Sequence, residues 1–235
     1  MIKKALAVLL LAQLCTILFS FLSVYQEPTS LNAVSSHYIH NEPKELGAAN
    51  AVTAVVVTYR GLDTLGEVTI LFAASVVVGL LMFLHKNESA PRRDGSELLK
   101  TGASLLFPLI LLFGAYVFIN GHLSPGGGFQ GGAIIASALM LTILANPNRH
   151  VGHGFFWAIE SISGFVFVLL GIAGLVLAGG FLDSRVLPPG TFGHVASAGL
   201  IPVIYIFVGL KVGAELSSVV LSLHGKSEGG VQHHD

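Results

Sequence analysis

One cysteine, Cys15, stands alone among 235 residues, which excludes an internal disulfide and a cysteine-ligated iron–sulfur cluster. Any redox chemistry near this chain therefore belongs to another polypeptide. Charge is scarce as well: Asp, Glu, Lys and Arg make up 11% of the chain. The formal net charge of -1 selects no partner, and no basic stripe points to nucleic acid. His37 and His40 lie three apart but lack the further ligands of a metal site, so they read as surface histidines. No cofactor is expected, nor a catalytic centre of the chain's own.

What remains is hydrophobic. At 53% hydrophobic residues and a mean hydropathy of +0.77, the composition is that of an all-α integral membrane protein. About six transmembrane helices are expected. The first is Ile2–Val24, read as a retained span because its apolar run is long and no small-x-small cleavage site follows. A leucine before Cys15 also fits a lipoprotein box poorly. Residues 25–46, with Pro28, Pro43, Asn32 and Asn41, read as an aqueous loop. Residues 48–59 are apolar but too few to cross hydrocarbon, and are expected to form a short interfacial or re-entrant helix. Arg60 to Thr64 interrupts it, and Asp63 or Thr64 is placed to cap the second span, 65–84, with Glu67 in its first turn. The remaining spans are 98–119, 129–145, 155–178 and about 195–223, the last with a kink at Pro202. The expected organisation is an N-terminal membrane segment 1–86, a linker 87–97, a four-helix domain 98–225 and a tail 226–235.

The sequence from Asn120 to Gly132 cannot be ordinary helix. Ser124-Pro125 starts a turn, and Gly126, Gly127 and Gly128 leave the backbone unrestrained. Gly127, Gly128, Gly131 and Gly132 then repeat four apart, the small-residue spacing of closely packed membrane helices. A G-x-G-x-x-G pattern through Gly126, Gly128 and Gly131 does not denote a dinucleotide site, because no strand precedes it.

Most basic residues fall on one side of a six-span arrangement, leaving Lys44, Arg60 and Arg185 opposite them and Lys211 within a span. The positive-inside rule then puts both termini in the cytoplasm and the glycine turn outside. Within hydrocarbon lie Glu160, and Lys211 with Glu215 one helical turn away. A lone charge at that depth costs about 2.5–3.5 kcal/mol on insertion scales, so these groups are either a structural ion pair or steps in a proton or cation path. His122 is a loop group able to relay protons near neutral pH or simply to be solvated.

Asn120–Gly132, the Leu-rich span before it and Gly209-Leu-Lys-Val-Gly-Ala-Glu-Leu-Ser217 resemble the B subunit, of the MnhB type, of Mrp multisubunit sodium/proton antiporters. Ala49-Asn50-Ala51-Val52 and Tyr59 to Glu67 resemble the C-terminal end of the antiporters' large A subunit. A similar segment is a separate small subunit in membrane-bound hydrogenase and sulfane reductase complexes. The joining of both pieces in one chain departs from the usual Mrp arrangement and leans toward such a complex. The resemblance implies a subunit of a cation/proton-translocating assembly in a prokaryotic cell membrane. Its partners would be other membrane subunits, Na+ and H+, and a hydrogenase or sulfane reductase peripheral arm. It matches Asp63 and Glu67 to acidic positions of one motif, and Glu160, Lys211 and Glu215 to polar positions of the other. A scaffold that only anchors neighbouring subunits is the alternative.

Overall fold

A computed structural model of the chain describes residues 2–25, 30–84, 95–147 and 152–224. Most of the expected linker and all of the expected tail lie outside them. Helix is the dominant structure, and among the described residues there is no strand. Two compact units are present, Met1–His37 and Tyr38–Asp235.

The first unit contains α1 (Ile2–Val24), apolar around its whole circumference, as a helix facing lipid tails must be. The boundary between the units falls inside α2 (Ala33–Glu45). This helix corrects the loop expected over 25–46. Its start is fixed by Asn32, whose side chain accepts from the Ser35 amide at 2.7 Å. Pro43 interrupts it only in the last turn.

In the second unit, α3 (Ala51–Ala54) runs into a π-helical turn at Val55–Tyr59, and α4 (Gly61–Leu84) follows. The helix expected over 48–59 is thus short and widens in its second half. Asp63 and Thr64 do not cap α4, which starts ahead of both. Asp63 pairs instead with Arg60, and the Thr64 hydroxyl donates back to the Val56 carbonyl at 2.8 Å. The widened turn frees carbonyls from the regular ladder, and Thr64 satisfies one of them.

Four more spans complete the fold: α5 (Glu97–Ile119), α6 (Gly128–Ala145), α7 (His153–Leu177) and α8 (Ile201–His224). With α1 and α4 they make, among the described residues, six helices long and apolar enough to cross a membrane, as expected from composition. Ser96 caps α5 by accepting from the Leu99 amide at 3.3 Å. Pro202 is the second residue of α8 and not a mid-span kink, because 195–200 stay outside the helix; a first turn has no use for the missing amide hydrogen.

The unit is built around α8. Its span is 56% buried, against 6% for α4, and α4, α5, α6 and α7 all pack on it. Ile201, Ile204, Tyr205, Val208 and Val212 of α8 form one core with Phe167 of α7, Val57 of the π turn and Leu46 and Ala48 before α3. Between α7 and α8, residues 178–200 fold into a cap. Asp183 accepts from the Arg185 amide at 3.0 Å to start a single 3-10 turn, Ser184–Val186. The Ser184 and Pro189 carbonyls then accept from Leu200 and Ala198 at 3.1 and 2.8 Å. Leu182 and Ala198 are both fully buried at positive φ, a conformation that non-glycine residues hold only when their surroundings impose it.

Candidate functional site

The glycine turn is the meeting point of the short helix and the long ones. Gly127 precedes α6 at φ +156°, a region that only glycine occupies readily. Ser124-Pro125-Gly126 lead into it, and Gly128, Gly131 and Gly132 are buried along the start of α6. Onto this turn docks the start of α3. The Asn50 amide hydrogen bonds to His122 O at 3.0 Å, and its side chain donates to Gly121 O and Ser124 O at 2.9 and 3.0 Å. Thr53 donates to the same Gly121 carbonyl at 2.7 Å and receives the Tyr205 hydroxyl at 3.1 Å. One buried network thus joins α3, the turn and α8, closing backbone acceptors that a turn inside a protein must satisfy.

His122 belongs to this network and is completely buried, not solvated. The cap backbone at His194 and Val195 lies against it: Nε2–H donates to His194 O at 3.3 Å, while Nδ1 has no partner. Burial pushes its pKa below the ordinary 6.5, and the carbonyls around it only partly oppose that. The sign follows: between the folded and unfolded pKa values the unfolded chain binds the extra proton, so stability falls as pH drops through about 6.5. The unfolding free energy from pH 8 down to 5.5 should decline by at most about 1.4 kcal/mol per pH unit from this group, read as a falling thermal midpoint. A His122→Asn variant should lose that part of the slope, and an unchanged slope refutes the assignment.

The second polar site lies in the middle of the bundle. Lys211 and Glu215, one turn apart on the buried face of α8, pair at 3.0 Å. Glu215 is fully buried and Lys211 nearly so, with relative exposures of 0% and 7%. The lysine stem runs past Gly164 of α7, and its Nζ sits 5.3 Å from the centroid of the Phe72 ring on α4. A cation over an aromatic face in a desolvated place contributes about 2 kcal/mol, the scale needed beside an ion pair that must offset its own loss of water. Glu215 holds the ammonium with Oε2 alone; Oε1 has no hydrogen-bond partner. The hydroxyl of Ser75, again from α4, lies within hydrogen-bonding influence of Glu215, and the charge of the Glu160 carboxylate on α7 also reaches it.

Of the acids singled out in the sequence, the structure thus sets Glu160 of α7 within electrostatic reach of Glu215 on α8. Glu160 is half-buried. Asp63 and Glu67 belong elsewhere: Asp63 is at the surface with Arg60, and Glu67 is exposed on α4, within electrostatic reach of the Tyr205 hydroxyl. Phe72, Ser75, Asn50, Thr53 and Tyr205 were not read as site residues. Only Asn50 lay in a stretch that stood out, and the others look like ordinary span residues until the packing is known. Glu42 was also missed; it is buried in α2 and accepts from the Ala48 amide at 2.8 Å. Burial raises its pKa, and that hydrogen bond opposes the rise.

An apolar groove of about 180 Å³ lies between α5 and α7, with Phe107, Leu111, Leu139, Phe156 and Ile159 on its walls. It takes in neither charge of the α8 pair. Among the described residues, no group of three His, Cys, Asp or Glu side chains is placed to hold a metal.

Six apolar helices among the described residues, with an ion pair buried on α8 of the second unit, define a multi-pass membrane protein with an internal charged site. Residues 98–218 match the family described as a domain related to the MnhB subunit of Na+/H+ antiporter, and the chain belongs to that family. Residues 3–93 match a second family, described as the E subunit of MBH. An uncharacterized protein of Methanocaldococcus jannaschii is 30% identical, over 88% of this chain and 86% of its own length. The B subunit of the Na(+)/H(+) antiporter of Bacillus subtilis is 34% identical over 44% of this chain and 70% of its own. Among solved structures, a chain of the membrane-bound sulfane sulfur reductase, an archaeal respiratory membrane complex, superposes with a TM-score of 0.78 at 42% identity, over 95% of this chain and 99% of that one. A chain of the Mrp complex from Dietzia sp. DQ12-45-1b gives a TM-score of 0.76 at 24% identity; there the match takes 97% of this chain but 27% of the other, and it speaks for the fold alone.

Proposed function

We propose that this chain is a membrane subunit of a cation/proton-translocating complex and that Glu160, Lys211 and Glu215 line its sodium or proton route. It works among other membrane subunits of an Mrp-like module in a prokaryotic cell membrane, with both termini in the cytoplasm, as its distribution of basic residues suggests. The observation that carries the reading is the free Oε1 of a fully buried carboxylate already bound to a lysine. A carboxylate serving only as a counter-ion in hydrocarbon would be expected to use both oxygens. One with an open lone pair, within the field of a second carboxylate, Glu160, can take a proton or cation from one neighbour and pass it to another. Exposed Glu67 on α4 would serve a neighbouring subunit, since a carboxylate on an apolar helix surface is not left to lipid.

The association with a sulfane reductase-type complex, in preference to a stand-alone antiporter, has support in length. The reductase chain is matched end to end, whereas the Bacillus antiporter subunit corresponds to less than half of this chain. The anchoring alternative rests on the 3.0 Å pair itself, which satisfies the lysine within one helix. Sodium-dependent proton transport in vesicles holding the whole complex decides between them. Glu215→Gln, with assembly intact, should reduce transport to the level of empty vesicles. Transport at the wild-type rate would remove Glu215 from the route and leave the anchoring role.

A further inference from the structure

The buried pair on α8 is not enclosed by the MnhB-related domain that carries it. Residues 98–218 supply Lys211, Glu215 and Glu160, yet the groups that close the site on its other side, Phe72 and Ser75, come from α4, in the stretch that matches the second family. Phe72 is 48% exposed, so one ring face meets the ammonium while the rest of the side chain looks out of the chain. Ser75 follows three residues later on the same helix, half-buried, with its hydroxyl toward Glu215.

We infer that the site is composite: Phe72 and Ser75 of α4 are positioning residues for the Lys211–Glu215 pair, Phe72 holding the ammonium against Oε2 and Ser75 turning its hydroxyl toward the carboxylate. This rests on the pair's being part of the ion route. The ring fits that task because a cation–π contact places the ammonium without neutralising it, which a second carboxylate would do. Only apolar volume would be needed if α4 were mere packing, and Leu would serve as well as Phe. The hydroxyl fits the second task because it both donates and accepts, so that it can rotate as the carboxylate gains or loses a proton. The two sequence pieces would in that case depend on each other chemically, beyond their shared core.

The test uses the assembled complex in vesicles and reads sodium-dependent proton transport, with co-purification of the other subunits as the check on assembly. Phe72→Leu should lower transport by about ten-fold, and Phe72→Tyr should restore most of it because the π face returns. Ser75→Ala, which removes one oxygen and almost no volume, should lower transport several-fold, and Ser75→Thr should recover it. Wild-type transport from Phe72→Leu, or equal loss in Leu and Tyr, overturns the role of the ring. Should Phe72→Leu not assemble, Ser75→Ala decides alone, and full transport from it overturns the composite site. Glu215→Gln separates this inference from the one beneath it: loss there with none in the α4 variants sinks only the present proposal, whereas wild-type transport in Glu215→Gln sinks both.

Discussion

Lys211→Met should unfold this protein far more readily than most single substitutions, by about 3–5 kcal/mol, because it removes one member of a buried pair and leaves the other without its counter-charge. Glu215 must then either stay charged without a counter-ion or bind a proton, and both are costly. Its exposure is zero, Oε1 is already unpartnered, and the remaining charged group in reach, Glu160, has the same sign. A neutral methionine of nearly the same length keeps the packing against Gly164 and Phe72, so the loss reports charge and not volume. Removing both charges is a different matter. Lys211→Met with Glu215→Leu leaves no ion to desolvate, and replacing buried ion pairs by apolar residues is commonly neutral or stabilising by about 1–4 kcal/mol. The double variant should therefore recover wild-type stability in detergent, read as the midpoint of thermal unfolding or of subunit dissociation. It should remain inactive in transport. That combination, stable but silent, is what a conducting site gives and a structural ion pair does not. A double variant that folds and transports normally would remove both residues from the route.

The parts of this molecule that could be read in its sequence are those set by hydrocarbon. Spans announce themselves because a helix must run apolar for the thickness of a bilayer, and six such runs are the six long helices found among the described residues. For the same reason Glu160, Lys211 and Glu215 stood out: charge within an apolar run is conspicuous wherever its partners lie. What faces them was not legible. Nothing in the spacing of Phe72 or Ser75 says that α4 passes over the lysine, since that depends on which helices become neighbours across more than a hundred residues of chain. Polar segments were read least well. Residues 33–45 carry no apolar periodicity and end near a proline, yet Asn32 starts a helix there. His122 looked like a loop histidine because the cap segment that meets it at His194 and Val195 is rich in glycine and polar groups that resemble any exposed connection. Burial of a loop is a tertiary property, and a one-dimensional reading has no measure of it.

Gly132→Ala tests the other feature on which the fold depends, the approach of α6 to α8. At Gly132 an added Cβ would lie 2.8 Å from Gly209 O, Gly213 N and Val212 Cβ, and at Gly131 it would lie 2.6 Å from Gly114 O on the opposite helix. Most of those neighbours are backbone, which cannot turn aside as a side chain does, so a single methyl group must push α6 away from α8. The helices of a membrane protein have little hydrophobic gain in associating and rely on such contact, which a gap of even half an ångström to one ångström weakens substantially. The displacement would also pull on the turn before α6, and with it the carbonyls of Gly121 and Ser124 that hold Asn50 and Thr53. A loss of about 3 kcal/mol or more is expected, at or above the upper end for overpacked cores. The same exchange at Gly66 or Gly79 on α4, where nothing lies within 4 Å, provides the control. There alanine should be neutral or add up to about 1 kcal/mol through helix propensity. Thermal unfolding of the purified subunit or complex reads all three, and a Gly132→Ala midpoint equal to that of Gly79→Ala would show that α6 and α8 tolerate separation.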